Sequence, residues 1–236
     1  MTIIPLGLGD FGSYSQNVSR FKTRNMYLSD NPISYDNISR ITRPTLDLAL
    51  EVSAEPIRGI WAEEGALSNN WLIASGDNLV RYDGTSIHEV APLTGADYIT
   101  FAAIAGRVIF LNDGIVYRVE SDFSVVPIVV PDDELISSIT SLNSYFILTV
   151  KDTQKYYFIE PGQTDPDPLS FASAERLPDF IVTAKTVGDE LWMLGEGTTE
   201  VLMPSGNAEF PFTRISGRTY PEGCLDRNTA VVVAAS

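Results

Sequence analysis

Residues 146–162 read FILTVKDTQKYYFIEPG, which is two apolar segments separated by a short polar turn. The arrangement occurs three more times, in WLIASGDNLVRYDG (71–84), VIFLNDGIVYRVE (108–120) and LWMLGEGTTEVLMPSG (191–206). The four copies begin at residues 71, 108, 146 and 191, so the intervals are 37, 38 and 45 residues. Because one four-stranded propeller blade takes about 40 to 45 residues, the spacing predicts a series of small β-sheets.

Another strand is predicted before three of these pairs, in YITFAAIAG from 98, ISSITSLN from 136 and FIVTAKTVGD from 180. Each ends in a residue that favours a tight turn, namely Gly106, Asn143 and Gly188. The run FILT is apolar throughout, as is VIFL, and such runs are typical of strands buried on both faces. In IVYRVE, Val116, Arg118 and Glu120 are predicted to share the wetter face of an outer strand. The stretch DDELISSITSL (132–142) favours a turn and then a strand.

We therefore predict an all-β fold, a β-propeller-like repeat of four-stranded antiparallel blades. Residues 1–50 are predicted to be an N-terminal arm and extended leader, and residues 51–236 to hold the blades. Four blades account for residues 57 to about 206. The segment GCLDRNTAVVVAAS (223–236) resembles the opening strand of another blade, so we expect the last blade to be truncated or completed by another chain.

Composition indicates a folded acidic protein, with 44% hydrophobic residues, 20% charged residues and a net charge of −15. The charge is uneven, because residues 1–50 hold five basic and four acidic side chains while the remainder holds 11 and 27. The strongly acidic part of the chain after residue 50 is therefore predicted not to bind nucleic acid tightly, but it is compatible with DNA that slides past its surface. The basic side chains of RFKTR, Arg20, Lys22 and Arg24, either dock on an acidic partner such as another copy or belong to a solvated loop.

Motifs for cofactor, metal or catalytic chemistry lack their context, and no enzyme or cofactor is predicted. GLGDFG (7–12) has the spacing of a dinucleotide-binding turn, but neither a preceding strand nor a following amphipathic helix is encoded. The single histidine, His88, and single cysteine, Cys224, exclude a disulfide framework and a cysteine-based zinc site. His88 is expected at a strand edge and Cys224 as a small buried residue. The first residues do not resemble a signal peptide, and no apolar stretch is long enough for a membrane anchor.

Carboxylates leave one alternative open, a carbohydrate-active or carbohydrate-binding propeller. A glycosidase needs two carboxylates, which different blades could supply. The candidates are Asp165, Asp167, Glu175, Asp189 and Glu190. A proline-stiffened loop is the favoured interpretation of the DPDP stretch, and Trp61, Trp71 and Trp192 are more consistent with blade cores than with a sugar-binding platform.

The chain resembles the packaged-DNA stabilisation proteins, or tail hub proteins, of short-tailed bacteriophages, most closely from about residue 168 onward. The matching residues are Asn25, Met26, Tyr27, Arg43, Pro44, Ser173, Ala174, Glu175, Pro178, Asp179, Gly195, Thr199, Glu200, Ser205, Gly206, Pro211, Phe212, Gly223 and Cys224. Thr45 departs from the glycine that the family usually has after the Arg-Pro pair. None of these residues is catalytic in the family, so the resemblance implies structural motif positions.

The resemblance implies a virion structural protein of the phage tail, assembled in the host cytoplasm. Such a subunit belongs to a homo-oligomeric ring, a hexamer in the family, that lies below the portal and its adaptor protein. The ring continues the DNA channel without sequence-specific contacts, helps retain packaged DNA and carries a tail needle, fibre or spike.

Overall fold

The computed structural model describes the backbone of residues 26–30 and 38–42, and backbone and side chains of residues 50–173, 179–207 and 211–232. Contacts divide the chain into two units, residues 1–51 and residues 52–236. Within the first unit, β1 (Met26–Asp30) pairs antiparallel with β2 (Ile38–Thr42). The glycines of GLGDFG lie outside the described residues.

The second unit consists of four antiparallel sheets of four strands each, formed in chain order. Blade 1 contains β3 (Ile57–Trp61), β4 (Trp71–Ser75), β5 (Asn78–Tyr82) and β6 (Ile87–Pro92). Blade 2 contains β7 (Thr100–Ile104), β8 (Arg107–Asn112), β9 (Ile115–Val119) and β10 (Val125–Pro127). Blade 3 contains β11 (Ile136–Leu142), β12 (Tyr145–Val150), β13 (Lys155–Ile159) and β14 (Phe171–Ser173). Blade 4 contains β15 (Ile181–Val187), β16 (Glu190–Gly195), β17 (Thr199–Pro204) and β18 (Phe212–Tyr220).

The first strand of each blade is the innermost, because neighbouring blades contact one another mainly through β3, β7, β11 and β15. Three apolar cores lie between successive blades, joining blade 1 to 2, blade 2 to 3 and blade 3 to 4. The described blades therefore form a row that does not close on itself. The all-β propeller prediction is confirmed, and so is the burial of VIFL and FILT, which fall in β8 and β12.

Hydrogen bonds between blades fix how each sheet stacks on the one before it. The amides of three buried isoleucines donate to carbonyls of the preceding blade: Ile99 to Arg58 at 2.9 Å, Ile136 to Gly114 at 2.8 Å and Ile181 to Thr153 at 2.8 Å. The buried Arg58 side chain also donates to the carbonyls of Asp97, Gly76 and Thr94, at 2.8 to 2.9 Å. A fourth bond, from Nη2 to Asn112 Oδ1 at 3.3 Å, reaches β8, so this guanidinium ties blade 1 to blade 2.

The turns follow the sequence prediction closely. Gly106, Asn143 and Gly188 lie between the first and second strands of their blades, all with positive φ. Residues 132–142 form a turn, Pro131–Asp133, followed by β11, as expected.

Three details of the prediction are wrong. Val116 in β9 is fully buried in the core between blades 2 and 3 and Ile115 is exposed, whereas Val119 is buried against blade 1 as predicted, so β9 has no single wetter face. Blade 4 does not end near residue 206, since its outer strand β18 continues to Tyr220. The segment from Gly223 is not a strand over its described residues, 223–232, and forms turns and irregular backbone instead.

Candidate functional site

Asp179, one of the family-motif residues, organises the turn between β16 and β17. Its Oδ1 accepts hydrogen bonds from the Glu196 and Gly197 amides, at 3.0 and 3.2 Å. Its Oδ2 accepts from the Thr198 amide at 2.7 Å and the Thr198 hydroxyl at 2.8 Å. Burial alone would raise the pKa of Asp179, but these hydrogen bonds hold it below its ordinary value.

Gly195 and Gly223 allow the chain after blade 4 to lie directly on this turn. A Cβ at Gly223 would lie 2.3 Å from the Gly195 carbonyl oxygen, and one at Gly195 would lie 2.4 Å from Asp179 Oδ2. The Cys224 amide donates to the Gly195 carbonyl at 2.9 Å. The Thr199 hydroxyl donates to the Glu222 carbonyl at 2.6 Å. No side chain fits between these backbones, which explains why two motif positions are glycine.

The segment that leaves β18, residues 221–232, is called the crossover here. Its Arg227 reaches two other blades, donating to the Ser137 carbonyl in β11 and the Tyr98 carbonyl before β7, both at 3.2 Å. Arg227 Nη2 also lies 3.6 Å from the Asp97 carboxylate. The crossover therefore ties blade 4 to blades 2 and 3 at the ends of their inner strands.

Beyond Arg227 the crossover lies against the face of blade 4 that no other described blade covers. Residues 229–232 and this face, the open face, enclose a cleft of about 450 Å³. The open-face residues in the cleft are Lys185, Val187, Trp192 and Leu194, on β15 and β16. On the other face of blade 4, β15 contacts β11 and β12 of blade 3. Residues 229–232 thus face the side of blade 4 that a further blade would cover.

Cys224 is partly buried rather than fully buried as predicted, because it belongs to the crossover rather than to a blade core. Burial is the main cause that raises the pKa of its thiol, followed by the nearby Asp226. Among the described residues, no group of three His, Cys, Asp or Glu side chains is arranged to hold a metal ion.

The remaining described motif residues lie in the strands of blades 3 and 4. Glu200 in β17 is buried and pairs through Oε2 with Arg214 Nε of β18, at 2.7 Å. Phe212 is buried in the core between blades 3 and 4, with Pro211 buried beside it, and its ring lies edge-to-face on Tyr145 at 5.7 Å. Ser173 ends β14, and the Ser205 amide donates to the Pro211 carbonyl at 2.8 Å. These positions hold the outer strand of blade 4 in place.

Several predicted positions cannot be placed. The motif residues Asn25, Arg43, Pro44, Ala174, Glu175 and Pro178 lie outside the described residues, as do Arg20, Lys22 and Arg24. Met26 and Tyr27 belong to β1, of which only the backbone is described. Their predicted roles stay predictions.

The carboxylates considered for glycosidase chemistry serve local structure where they are described. Asp165 Oδ1 accepts the Val129 amide at 2.8 Å, and Asp167 Oδ1 accepts the Leu169 amide at 2.8 Å. Glu190 bonds to Arg218, which is the main cause of its lowered pKa, and Asp189 is exposed in the β15–β16 turn. The structure does not gather these four side chains in one cleft with a shared polar network.

His88 lies in β6, the outermost strand of blade 1, as expected. Its Nε2 lies 2.9 Å from Asp83 Oδ2. The Ser86 amide, then the His88 ring and the Thr85 amide, lower the pKa of the Asp83 carboxyl. Of the tryptophans, Trp61 packs against the core between blades 1 and 2, whereas Trp71 is largely exposed and Trp192 lies on the open face.

Sequence reasoning did not find Arg58 or Arg227. A signal exists for Arg58, because it is the one charged residue in the inner-strand sequence IRGIW. Nothing in the sequence GCLDRN distinguishes Arg227 from a solvated arginine, because its partners are backbone carbonyls of distant blades.

Four-stranded antiparallel sheets that follow one another along the chain and pack face to face define a β-propeller protein. The chain belongs to the bacteriophage family described as Bacteriophage P22 Gp10, beta-propeller, whose family model matches residues 24–236. Membership makes this a bacteriophage β-propeller protein, and it points to a virion component with a structural rather than enzymatic role.

Solved structures confirm a likeness of fold alone. The dihydro-heme d1 dehydrogenase NirN in complex with DHE is 15% identical with a TM-score of 0.50, over 70% of this chain and 38% of that chain. The Neurospora crassa Pan2 WD40 domain is 14% identical with a TM-score of 0.49, over 71% and 50% of the two chains. YCF48 bound to D1 peptide is 18% identical with a TM-score of 0.46, over 77% and 58%. The chain thus spans roughly half the length of these three chains. No curated protein matches the sequence.

One negative observation accompanies the family match. Within the part of the chain that the structure describes, there is no helix of the length and apolarity needed to span a bilayer.

Proposed function

We propose that the chain is a structural subunit of the phage tail hub, where it forms a ring that continues the DNA channel and helps retain packaged DNA. The observation that carries this proposal is the family match over residues 24–236. The ring is a homo-oligomer, a hexamer by resemblance to the family. Its neighbours are the portal adaptor on one side and a tail needle, fibre or spike on the other.

The open face of blade 4 supports a role in assembly. Val187, Met203 and Tyr220 are each more than a third exposed, although the sequence LWML of β16 is apolar on both faces. Strands that are apolar on both faces are ordinarily covered on both. An uncovered blade face therefore serves as a surface for a further blade or a neighbouring subunit.

Charge supports passage of DNA rather than capture. Residues 51–236 hold 27 acidic and 11 basic side chains, so the blade unit repels phosphate groups. A wall of that charge lets DNA move during ejection without adhering.

The experiment that tests the proposal is cryo-electron microscopy of virions whose copy of this protein carries a C-terminal affinity tag labelled with gold. We expect label at one level of the tail, below the portal, with the symmetry of a ring. Particles from a phage with an early stop codon in the gene should package DNA and then lose it. Label on the capsid shell or no label, or full DNA retention without the protein, would contradict the proposal.

A further inference from the structure

Each blade has an exposed apolar residue one or two positions before its inner strand, at the edge of the sheets where the second and third strands are joined. These residues, the apolar ring, are Pro56, Tyr98, Leu135 and Phe180. Tyr98 is 62% exposed, and Leu135 and Phe180 are each 49% exposed. Three of the four repeats leave a large apolar side chain in water at this position, which marks a binding surface rather than a core position.

Backbone hydrogen bonds show that the ring positions are equivalent. In three blades the amide that follows the second strand donates to the carbonyl of the ring residue. These pairs are Gly76 to Pro56 at 3.0 Å, Lys151 to Leu135 at 2.8 Å and Glu196 to Phe180 at 3.1 Å. In blade 2 the Tyr98 carbonyl accepts from Arg227 of the crossover instead. The ring is therefore a property of the repeat.

A second ring, made of carboxylates, lies beside the first. The turn between the second and third strands of every blade carries an exposed acidic residue, and these are Asp77, Asp113, Asp152 and Glu196. The last three line one cleft of about 320 Å³ together with Leu135, Phe180 and the crossover residue Leu225, which is 96% exposed.

The cleft carries an excess of negative charge. It holds five carboxylates, those of Asp97, Asp113, Asp152, Glu196 and Asp226, against the two cations of Lys151 and Arg227. Arg227 lies 3.6 Å from Asp97, and Asp226 accepts the Asn228 amide. The carboxylates of Asp113, Asp152 and Glu196 have no hydrogen bond or ion pair with a described residue. An apolar surface beside three free carboxylates suits a segment that carries cations around an apolar side chain.

We propose that this cleft binds residues 20–24 of a second copy of the chain. That segment, RFKTR, places the three cations Arg20, Lys22 and Arg24 around Phe21, in a stretch of chain that otherwise holds few basic residues. Its charge of +3 matches the three free carboxylates, and Phe21 supplies the apolar group for Leu135, Phe180 and Leu225. The inference assigns one contact within the proposed self-assembly. It rests on the proposed function in one respect, that the occupant of the cleft is another copy of the chain.

A peptide titration tests the contact directly. The probe is a fluorescent peptide of residues 17–27, NVSRFKTRNMY. It is titrated into the full chain carrying R20Q, K22Q and R24Q, so that the chain's own segment cannot compete. We expect saturable binding in fluorescence anisotropy, weaker as sodium chloride rises from about 50 to about 500 mM. Since each exposed charge pair contributes about 0.2–1 kcal/mol, D113N/D152N/E196Q should weaken binding by about tenfold. Asparagine suits Asp113 and Asp152, which have positive φ.

Two controls separate specific docking from general attraction to an acidic protein. The variant E63Q/E64Q/D189N removes the same number of exposed carboxylates at the opposite end of the blades, and should change the affinity by less than about twofold. The peptide with Phe21→Ser, and the chain with Phe180→Ser, should each bind at least about fivefold more weakly. Circular dichroism verifies that every variant is folded.

The proposal is overturned by an absence of binding, by equal effects of the two triple variants, or by a Phe21→Ser peptide that binds as well as the native one. The titration measures the contact without requiring a ring. A tail hub that assembles normally while the peptide fails to bind would refute the contact and leave the proposed function standing. Peptide binding to a chain that forms no tail hub would support the contact and contradict the proposed function.

Discussion

The hydrogen bonds that the Asp179 carboxylate accepts explain why this motif position is an aspartate. Asp179 receives hydrogen bonds from three successive amides, those of Glu196, Gly197 and Thr198, and so replaces the solvation that the β16–β17 turn loses when the crossover covers it. Only a short side chain with two acceptor oxygens can serve all three amides. The residue therefore stabilises the platform on which Gly223 and Cys224 lie, and it makes that stability depend on pH.

We predict that Asp179→Asn lowers the free energy of unfolding by about 1–3 kcal/mol at pH 7, because the Asn amide group would face backbone donors. The pKa of Asp179 is held below its ordinary value, so its contribution is fully present above that value and is lost as pH falls through the lowered one. Urea denaturation between about pH 7 and pH 3 should show wild-type stability declining more steeply than that of the variant. Asp189→Asn, a change at an exposed turn of the same blade, is the control and should follow the wild type. Parallel wild-type and Asp179→Asn curves would contradict the prediction.

At the scale of elements, the sequence pattern predicted burial well for strands that are apolar on both faces. The runs in β8 and β12 are apolar on both faces and are buried on both. For β9 the alternation in IVYRVE predicted one wetter face, but Val116 is buried against blade 3 and Val119 against blade 1, because neighbouring blades cover both faces of blade 2. The valines after residue 230 were predicted as a strand on propensity, yet a strand needs a partner strand, and the described valines, Val231 and Val232, are paired with none.

The candidate site was predictable only in part. Asp179, Gly195 and Gly223 could be recognised as motif positions, but their contacts join residues up to 28 positions apart and have no local sequence signal. The two arginines act on backbone carbonyls, which every residue possesses, so no pattern of side chains reveals their partners. The apolar ring could have been found from the sequence, because its members recur before each inner strand, but that position was not compared across the repeats.

We predict that Gly223→Ala detaches the crossover without unfolding blade 4. The new Cβ would lie 2.3 Å from the Gly195 carbonyl oxygen and 2.5 Å from the Glu196 carbonyl carbon, so backbone must move by a distance no rotamer can absorb. Limited proteolysis should cut residues 221–232 much faster than in the wild type, while far-ultraviolet circular dichroism stays unchanged. Gly197→Ala is the matched control from the same turn, since its nearest contact would be an ordinary 3.9 Å to Asp179 Oδ2. Equal protease resistance of wild type and Gly223→Ala would show that the crossover is held elsewhere.

For the whole molecule, the stability of each blade depends on the blades that pack against it. Each core joins only two successive blades, so a blade covered on both faces is held by two cores and a terminal blade by one. Within blade 4 the second strand reflects the open face, since β16 alternates between buried and partly exposed residues while β8 and β12 are buried along almost their whole length. In blade 1, the other terminal blade, β4 is buried from Leu72 to Ser75. The face that no other described blade covers is the one that we propose for assembly.

Hydrogen exchange should reveal the difference between inner and terminal blades. The second strands β8, β12 and β16 are each hydrogen-bonded on both sides within their own sheets, so their backbone pairing is matched and only face packing differs. Opening blade 4 breaks one core, whereas opening blade 3 breaks two, and we predict that amides of β16 exchange at least about tenfold faster than those of β12. Leu191→Ala, in the core between blades 3 and 4, should accelerate exchange in β16 and leave β8 unchanged, because β8 contributes to the other two cores. Exchange at one common rate in all three strands, unaffected locally by Leu191→Ala, would mean that the blades open only together and that nearest-neighbour stacking does not describe this protein.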